Sequence, residues 1–197
     1  MATKSLLVID DFHPDIDRVR QEALSASYRN LNNTGYYSDF RATPALVDQL
    51  STLAGVNLVP AAPQGTGRYN YRMGTQRLGF DIHADECEWG GILYLNLPEQ
   101  CEGGTAFFRH KETGLTWWPA PGAEEQLRQR LGVSDLWRYF VMQEGVDRSR
   151  WEVEMMVPMR YNRLILFRGR QFHAHTHTFG DRIENARLVQ VFFFNER

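Results

Sequence analysis

His83-Ala84-Asp85 places an imidazole and a carboxylate two residues apart, and His173 offers a second imidazole late in the chain. Side chains alternate between the two faces of a strand. Extended backbone through Gly79-Phe80-Asp81-Ile82-His83-Ala84-Asp85 therefore puts His83 and Asp85 on one face, with Phe80 and Ile82 on the other. Two imidazoles and one carboxylate form one face of an Fe(II) octahedron and leave the opposite face open, which suits redox chemistry. A lone HxD triplet arises by chance in many proteins, so its meaning depends on its surroundings.

The second imidazole lies in a cluster. Phe172-His173-Ala174-His175-Thr176-His177 holds three of the six histidines. Three alternating histidines could make a zinc site of their own. Same-face residues step about 6.6 Å along a strand, so two can converge on one ion, whereas three span about 13 Å. A ligand set drawn from two strands is easier to build. The bland alternative is a polar strand face with incidental imidazoles. His13 and His110 stand alone, and surface or capping roles suffice for them.

The elements that must position these residues are legible in outline. Residues 6–9 read as a short strand. A helix follows, opened by Pro14 and running to Leu24. A second helix starts after Thr43, an N-cap candidate, with Pro44 next and Leu46, Leu50 and Leu53 at helical spacing. Strand-like runs at 68–73, 76–84, 91–97 and 105–110 are separated by turns containing Gly or Pro, the pattern of a barrel or sandwich. Residues 112–150 interrupt that pattern and read as a helical insertion, with a helix at 124–131 and Ser134 capping a further turn. Strand character returns at 151–157, 163–167, 172–178 and 187–195.

Bulk properties exclude several classes. A chain of 197 residues suits one domain spanning 1–197. Net charge is -2 with both signs mixed, so no basic stripe argues for nucleic acid. No apolar run approaches the roughly 18 residues of a membrane span. The short apolar stretch before Asp10-Asp11 reads as a strand, not a signal peptide. Two cysteines, Cys87 and Cys101, are too few for a disulfide framework, and the cytoplasm with reduced thiols is expected. Oligomeric state is not legible.

In order and spacing, several segments resemble the 2-oxoglutarate/Fe(II) oxygenases, in particular their prolyl 4-hydroxylase-like branch. The segments are Val8-Ile9-Asp10-Asp11-Phe12, Asp81-Ile82-His83-Ala84-Asp85, Ile92-Leu93-Tyr94-Leu95-Asn96, and Glu102-Gly103-Gly104-Thr105-Ala106-Phe107. Asn162-Arg163-Leu164-Ile165-Leu166-Phe167, ending six residues before His173, and Arg187-Leu188-Val189-Gln190-Val191-Phe192 complete the set. The resemblance implies a mainly β fold with flanking helices, a double-stranded β-helix (jelly-roll, cupin-like) barrel. It implies Fe(II) held by His83, Asp85 and His173, with 2-oxoglutarate and O₂ on the open face. Oxidative decarboxylation to succinate and CO₂ would then drive hydrogen abstraction from a substrate.

The resemblance also places a cation for the far carboxylate of 2-oxoglutarate at the start of the last strand. Arg187 is the expected anchor, because its fork can bind a carboxylate through two parallel hydrogen bonds. Arg182 competes, but Phe179-Gly180-Asp181-Arg182 reads as a turn. Tyr94 matches a position whose hydroxyl reaches the same carboxylate, and Asn96 shares its face. His175 could approach the metal or substrate, whereas His177 reads as surface. Related halogenases lack the carboxylate; Asp85 favours hydroxylation or desaturation.

Substrate contacts in such barrels come from the mouth and inserted loops. Candidates are Tyr69, Tyr71, Arg72, Arg77, Trp89, Trp117 and Trp118, with His175. Aromatics with arginine suit an amino acid or peptide bearing a carboxylate. The leading expectation is hydroxylation of an amino-acid side chain, free or in a peptide. Tailoring of another small metabolite, a non-catalytic metal- or ligand-binding barrel, and a cupin-like dioxygenase without 2-oxoglutarate are the alternatives.

Overall fold

The computed structural model describes residues 4–31, 34–61, 66–76 and 79–197. Along the chain come β1 (Leu6–Ile9), α1 (Ile16–Ser25), β2 (Arg29–Asn30), β3 (Tyr36–Tyr37), α2 (Pro44–Ala54), β4 (Leu58–Pro60) and β5 (Arg68–Arg72). Then follow β6 (Trp89–Tyr94), β7 (Gly104–His110), α3 (Glu124–Leu131), β8 (Trp151–Pro158), β9 (Leu164–Arg168), β10 (His173–His175) and β11 (Arg187–Glu196). The larger sheet is ordered β1-β9-β6-β11-β5-β3-β2, with β4 also on β11; the smaller is β10-β7-β8. Every pairing between these strands is antiparallel. The two sheets face each other as a jelly-roll that stays open at its edges.

Strand alternation sorts the side chains into layers. On β9, Leu164 and Leu166 point one way and Ile165 and Phe167 the other. On β11, Leu188, Phe192 and Phe194 join the first set and Val189 the second. The first set packs against Val19 and Ala23 of α1 and Leu50 and Ala54 of α2. The second meets Phe107 and Val157 of the smaller sheet, so it forms the core between the sheets. The outer face of the smaller sheet (Ala106, Phe108, Trp151, Ala174) packs on Leu127, Leu136, Phe140 and Val141 of the insertion. Burial of a large apolar side chain contributes about 1.5–3 kcal/mol. Both sheets thus carry apolar cover on both faces over their central strands, while the β8 edge stays exposed at 152–156, and polar residues on the inner face need a specific reason.

Local chemistry explains the helices. Thr43 Oγ1 accepts from Leu46 N at 3.3 Å, Pro44 takes the first helical position, and Gly55 ends α2 in the left-handed region at φ 78°. In the insertion, the further turn is capped by Asp135 rather than Ser134: Asp135 Oδ1 accepts from Arg138 N at 3.0 Å. A π-helical segment, Arg138–Glu144, follows.

One expected strand is replaced by something else. Residues 76–84 do not form a ladder; their described part makes a single bridge, His83 with His173. The backbone there is shared among three segments. Ile82 N donates to Gly145 O (3.0 Å), His83 N to His173 O (3.1 Å), and Asp85 N to Gly169 O (2.8 Å). Alternation survives, so Ile82 and Ala84 enter the insertion core while His83 and Asp85 turn inward.

Candidate metal centre

His83, Asp85 and His173 meet at the inner face of the smaller sheet. His83 Nε2 lies 3.6 Å from Asp85 Oδ1, and His173 Nε2 lies 3.6 Å from Asp85 Oδ2. One donor atom from each residue falls within 4.8 Å of the others. Backbone carbonyls fix both rings: His83 Nδ1 donates to Asp81 O and His173 Nδ1 to Gln171 O, each at 2.8 Å. The proton is thereby held on Nδ1, and each Nε2 lone pair points at the shared space. Phe80 stands edge-on to the His83 ring at 4.8 Å and Phe167 to the His173 ring at 4.6 Å, which restricts rotation.

The electrostatics suit a cation. Burial, then His173, holds His83 well below the ordinary imidazole range, so the ring is a neutral ligand at pH 7. Burial raises the Asp85 carboxyl, although His173 opposes the shift. A divalent ion would reverse that penalty. For bonds of about 2.1 Å, neighbouring donors of an octahedron lie about 3 Å apart, close to the spacing present. Two imidazoles and a carboxylate, with no thiolate, fit a ferrous ion on one face.

A cavity of about 480 Å³ opens beside the three donors. Arg187 lines it, only 3% exposed. It makes no ion pair among the described residues, and its Nε is buried without a hydrogen-bond partner there. Burial pushes its guanidinium down to about 10, with Tyr94 opposing the shift and Arg72 adding to it. The Tyr94 ring lies 5.9 Å from the guanidinium carbon, and its hydroxyl pairs with Thr105 Oγ1 at 2.7 Å. Arg182 is on the surface with Asp181 and Glu184. Asn96 is structural: its amide donates to Ala186 O and its oxygen accepts from Leu188 N, both at 2.8 Å.

The remaining expected residues divide sharply. Arg72 and His175 line the cavity. Arg72 Nη1 approaches His175 Nδ1 at 2.9 Å. A guanidinium only donates, so His175 accepts there and carries its proton on Nε2. Tyr71 and Trp89 face away from the cavity. Tyr71 stacks on Tyr36 at 4.7 Å, and Trp89 donates to Glu196 and packs with the helices. Tyr69 likewise faces α1, bonding Glu22. Trp118 belongs to the insertion core, and Trp117 bridges Gln171. Arg77 lies outside the described residues. His177 is exposed beside Glu102.

Sequence reading misses Tyr37, Asn70, Thr105, Trp137 and Phe193, which also line the cavity. Val191 and Phe193 were reachable, because they share the parity of Arg187 on one strand. Cys87 lines it too, but burial, then Asp85, pushes its thiol up, so it is no nucleophile.

His110 is buried, so of the surface or capping roles expected the surface one does not apply. It forms a second cluster with Glu112 and Glu144. Arg150 already pairs with both carboxylates, at 2.7 Å to Glu144 and 3.3 Å to Glu112. That cluster is an ion network tying the insertion to β7.

A family model described as "Family of unknown function (DUF6445)" matches residues 74–194. The chain belongs to that family. All three donors and Arg187 of this DUF6445 chain fall inside the matched region, whereas Tyr37 and Arg72 precede it. No curated protein matches the chain. Solved structures do. HygX from Streptomyces hygroscopicus, crystallised with nickel, 2-oxoglutarate and hygromycin B, is 12% identical over 98% of this chain and 84% of its own, with a TM-score of 0.53. SnoK, a non-heme alpha ketoglutarate dependent carbocyclase from nogalamycin biosynthesis, is 11% identical over 98% and 80%, with a TM-score of 0.54. At such identities the likeness establishes the jelly-roll fold.

Proposed function

We propose that this protein is an Fe(II)- and 2-oxoglutarate-dependent oxygenase of the prolyl 4-hydroxylase-like kind, and that it hydroxylates an amino-acid side chain, free or in a peptide. The observation that carries the reading is the pairing of the His83–Asp85–His173 donor set with Arg187, a buried guanidinium without a counter-charge among the described residues, in one cavity. Bound Fe(II), 2-oxoglutarate and O₂ would supply the oxidising power, with succinate and CO₂ released. His83 and His173 would hold the metal through Nε2, with their Nδ1 protons kept on backbone carbonyls. Arg187, with Tyr94 and Thr105 beside it, would receive the far carboxylate of the co-substrate. Phe107, Phe167 and Val189 exclude water behind it. The relatives' own ligands, 2-oxoglutarate and the small molecule hygromycin B, agree with a small-molecule site. Free Cys87 and Cys101 suit a reducing compartment, consistent with the cytoplasm.

Anaerobic addition of Fe(II) and 2-oxoglutarate should produce a weak visible charge-transfer band. His83→Ala should abolish it and His177→Ala should leave it. No band in the wild type, with no 2-oxoglutarate-dependent succinate on any substrate, would sink the reading.

A further inference from the structure

Among the described residues two guanidinium groups line the cavity, and the co-substrate accounts for one. Arg72 and Arg187 are direct partners in the β5–β11 register, so they project from the same inward face. Neither has a carboxylate partner among the described residues, and the residues outside the description contain no Asp or Glu. The acids lining the cavity are Asp85, within the donor set, and Glu86, which is exposed. The charges can be counted on the functional reading above, on which this inference rests. A divalent ion, Asp85 and one co-substrate carboxylate sum to zero. The second carboxylate offsets Arg187. Arg72 remains, and an unmatched cation in a half-buried cavity is costly.

The atoms around Arg72 have a common character. Its Nη1 donates to His175 and its Nη2 to Tyr37 Oη, 3.3 Å away, while its Nε is buried without an acceptor. Each Nη keeps a further hydrogen. Tyr37, having accepted, still has its O–H to give, and His175 has its Nε2–H. Three neighbouring side chains therefore offer donors with no carboxylate among them. Gly35, at φ 129°, makes room: a Cβ there would come within 2.7 Å of Asn70 Nδ2 and 3.1 Å of Arg72 Nε. The remaining wall is apolar, from Phe80, Trp137 and Phe193.

We propose that Arg72, with Tyr37 and His175, seats a carboxylate of the substrate, and that the substrate is a small free acid with an apolar body. An interior residue of a peptide has no α-carboxylate to place there. The amino-acid reading thereby narrows to a small free acid.

The test uses wild-type, Arg72→Leu, Tyr37→Phe and Arg187→Leu proteins, with and without Ni(II) and 2-oxoglutarate. Hexanoate and N-acetyl-L-leucine are titrated against their primary amides by calorimetry and melting temperature. The wild type should prefer an acid over its amide by about tenfold or more, as expected for charge-assisted hydrogen bonds. Arg72→Leu should erase that preference while 2-oxoglutarate affinity and the Fe(II) band persist, and Tyr37→Phe should weaken it severalfold with the fold intact. Arg187→Leu should do the opposite, losing 2-oxoglutarate. The proposal is overturned if the wild type shows no acid preference, if the preference survives Arg72→Leu, or if Arg72→Leu weakens 2-oxoglutarate as much as Arg187→Leu. A wild type without the band refutes the oxygenase reading instead, and the acid preference is then read on the metal-free protein.

Discussion

Replacing Arg187 with methionine should move two measurements in opposite directions. In the protein without co-substrate, the guanidinium is buried, unpaired and pushed from 12.5 down to about 10. A lowering of that size corresponds to about 3 kcal/mol of cost for keeping the charge inside the fold. The sign follows from linkage: the unfolded chain holds the proton more tightly, so the penalty is fully present at pH 7, below both values. Methionine is of similar length and uncharged. After allowing for imperfect repacking, the variant should gain about 2 kcal/mol, or roughly 4–8 °C in melting temperature for a chain of this size. Affinity for 2-oxoglutarate should fall about 10²- to 10³-fold, because the far carboxylate would be left buried and unpaired. Melting curves of both proteins with Ni(II), with and without 2-oxoglutarate, read both effects. A variant that melts lower than wild type, yet is stabilised by 2-oxoglutarate at the same midpoint, would refute the reasoning. Arg187 would then be a structural cation and the anchor would lie elsewhere.

Two further substitutions probe how the donors are held. Arg148, from the end of the insertion, binds both carboxylate oxygens of Asp81 and the carbonyls of His175 (2.7 Å) and Thr176. Since Asp81 O orients His83, Arg148→Ala should weaken Co(II) binding by roughly 10- to 100-fold. The group is partly exposed, so stability should fall by no more than about 1 kcal/mol, checked by urea titration. Gly90→Ala should also impair metal binding, because its Cβ would lie 2.9 Å from the Phe167 ring and 3.0 Å from Asp85 Oδ2. Unchanged Co(II) affinity would show that Asp85 has slack.

Much of the fold is legible because apolar alternation and cap chemistry are local. β1, α1, α2, β5 to β8, β9 and β11 fall within a few residues of the expected segments. The Thr43 cap and a barrel or sandwich of short strands follow from residue types and spacing, whereas the open edges do not. The expected strand at 76–84 fails for a reason that no local pattern carries: its hydrogen bonds go to three separate segments. The supporting role of the insertion is similarly hidden. It acts through Gly145, whose added Cβ would meet Ile82 O at 2.3 Å, and through the Arg148–Asp81 pair. Both contacts join residues more than 60 positions apart.

The substrate side teaches a narrower point. Tyr71 and Arg72 are neighbours on one strand and cannot both face the cavity. Residue type favours each, but parity permits only one, and parity is fixed by the partner strand. Arg187 must face inward if it is to meet a buried carboxylate, and its register with Arg72 then sends Arg72 and Asn70 inward and Tyr69 and Tyr71 toward α1. The same step places Val191 and Phe193 in the wall. One long-range pairing therefore converts a list of plausible contacts into a single set. That set is rich in donors and apolar surface and poor in acids, a lining that suits an anion with an apolar body.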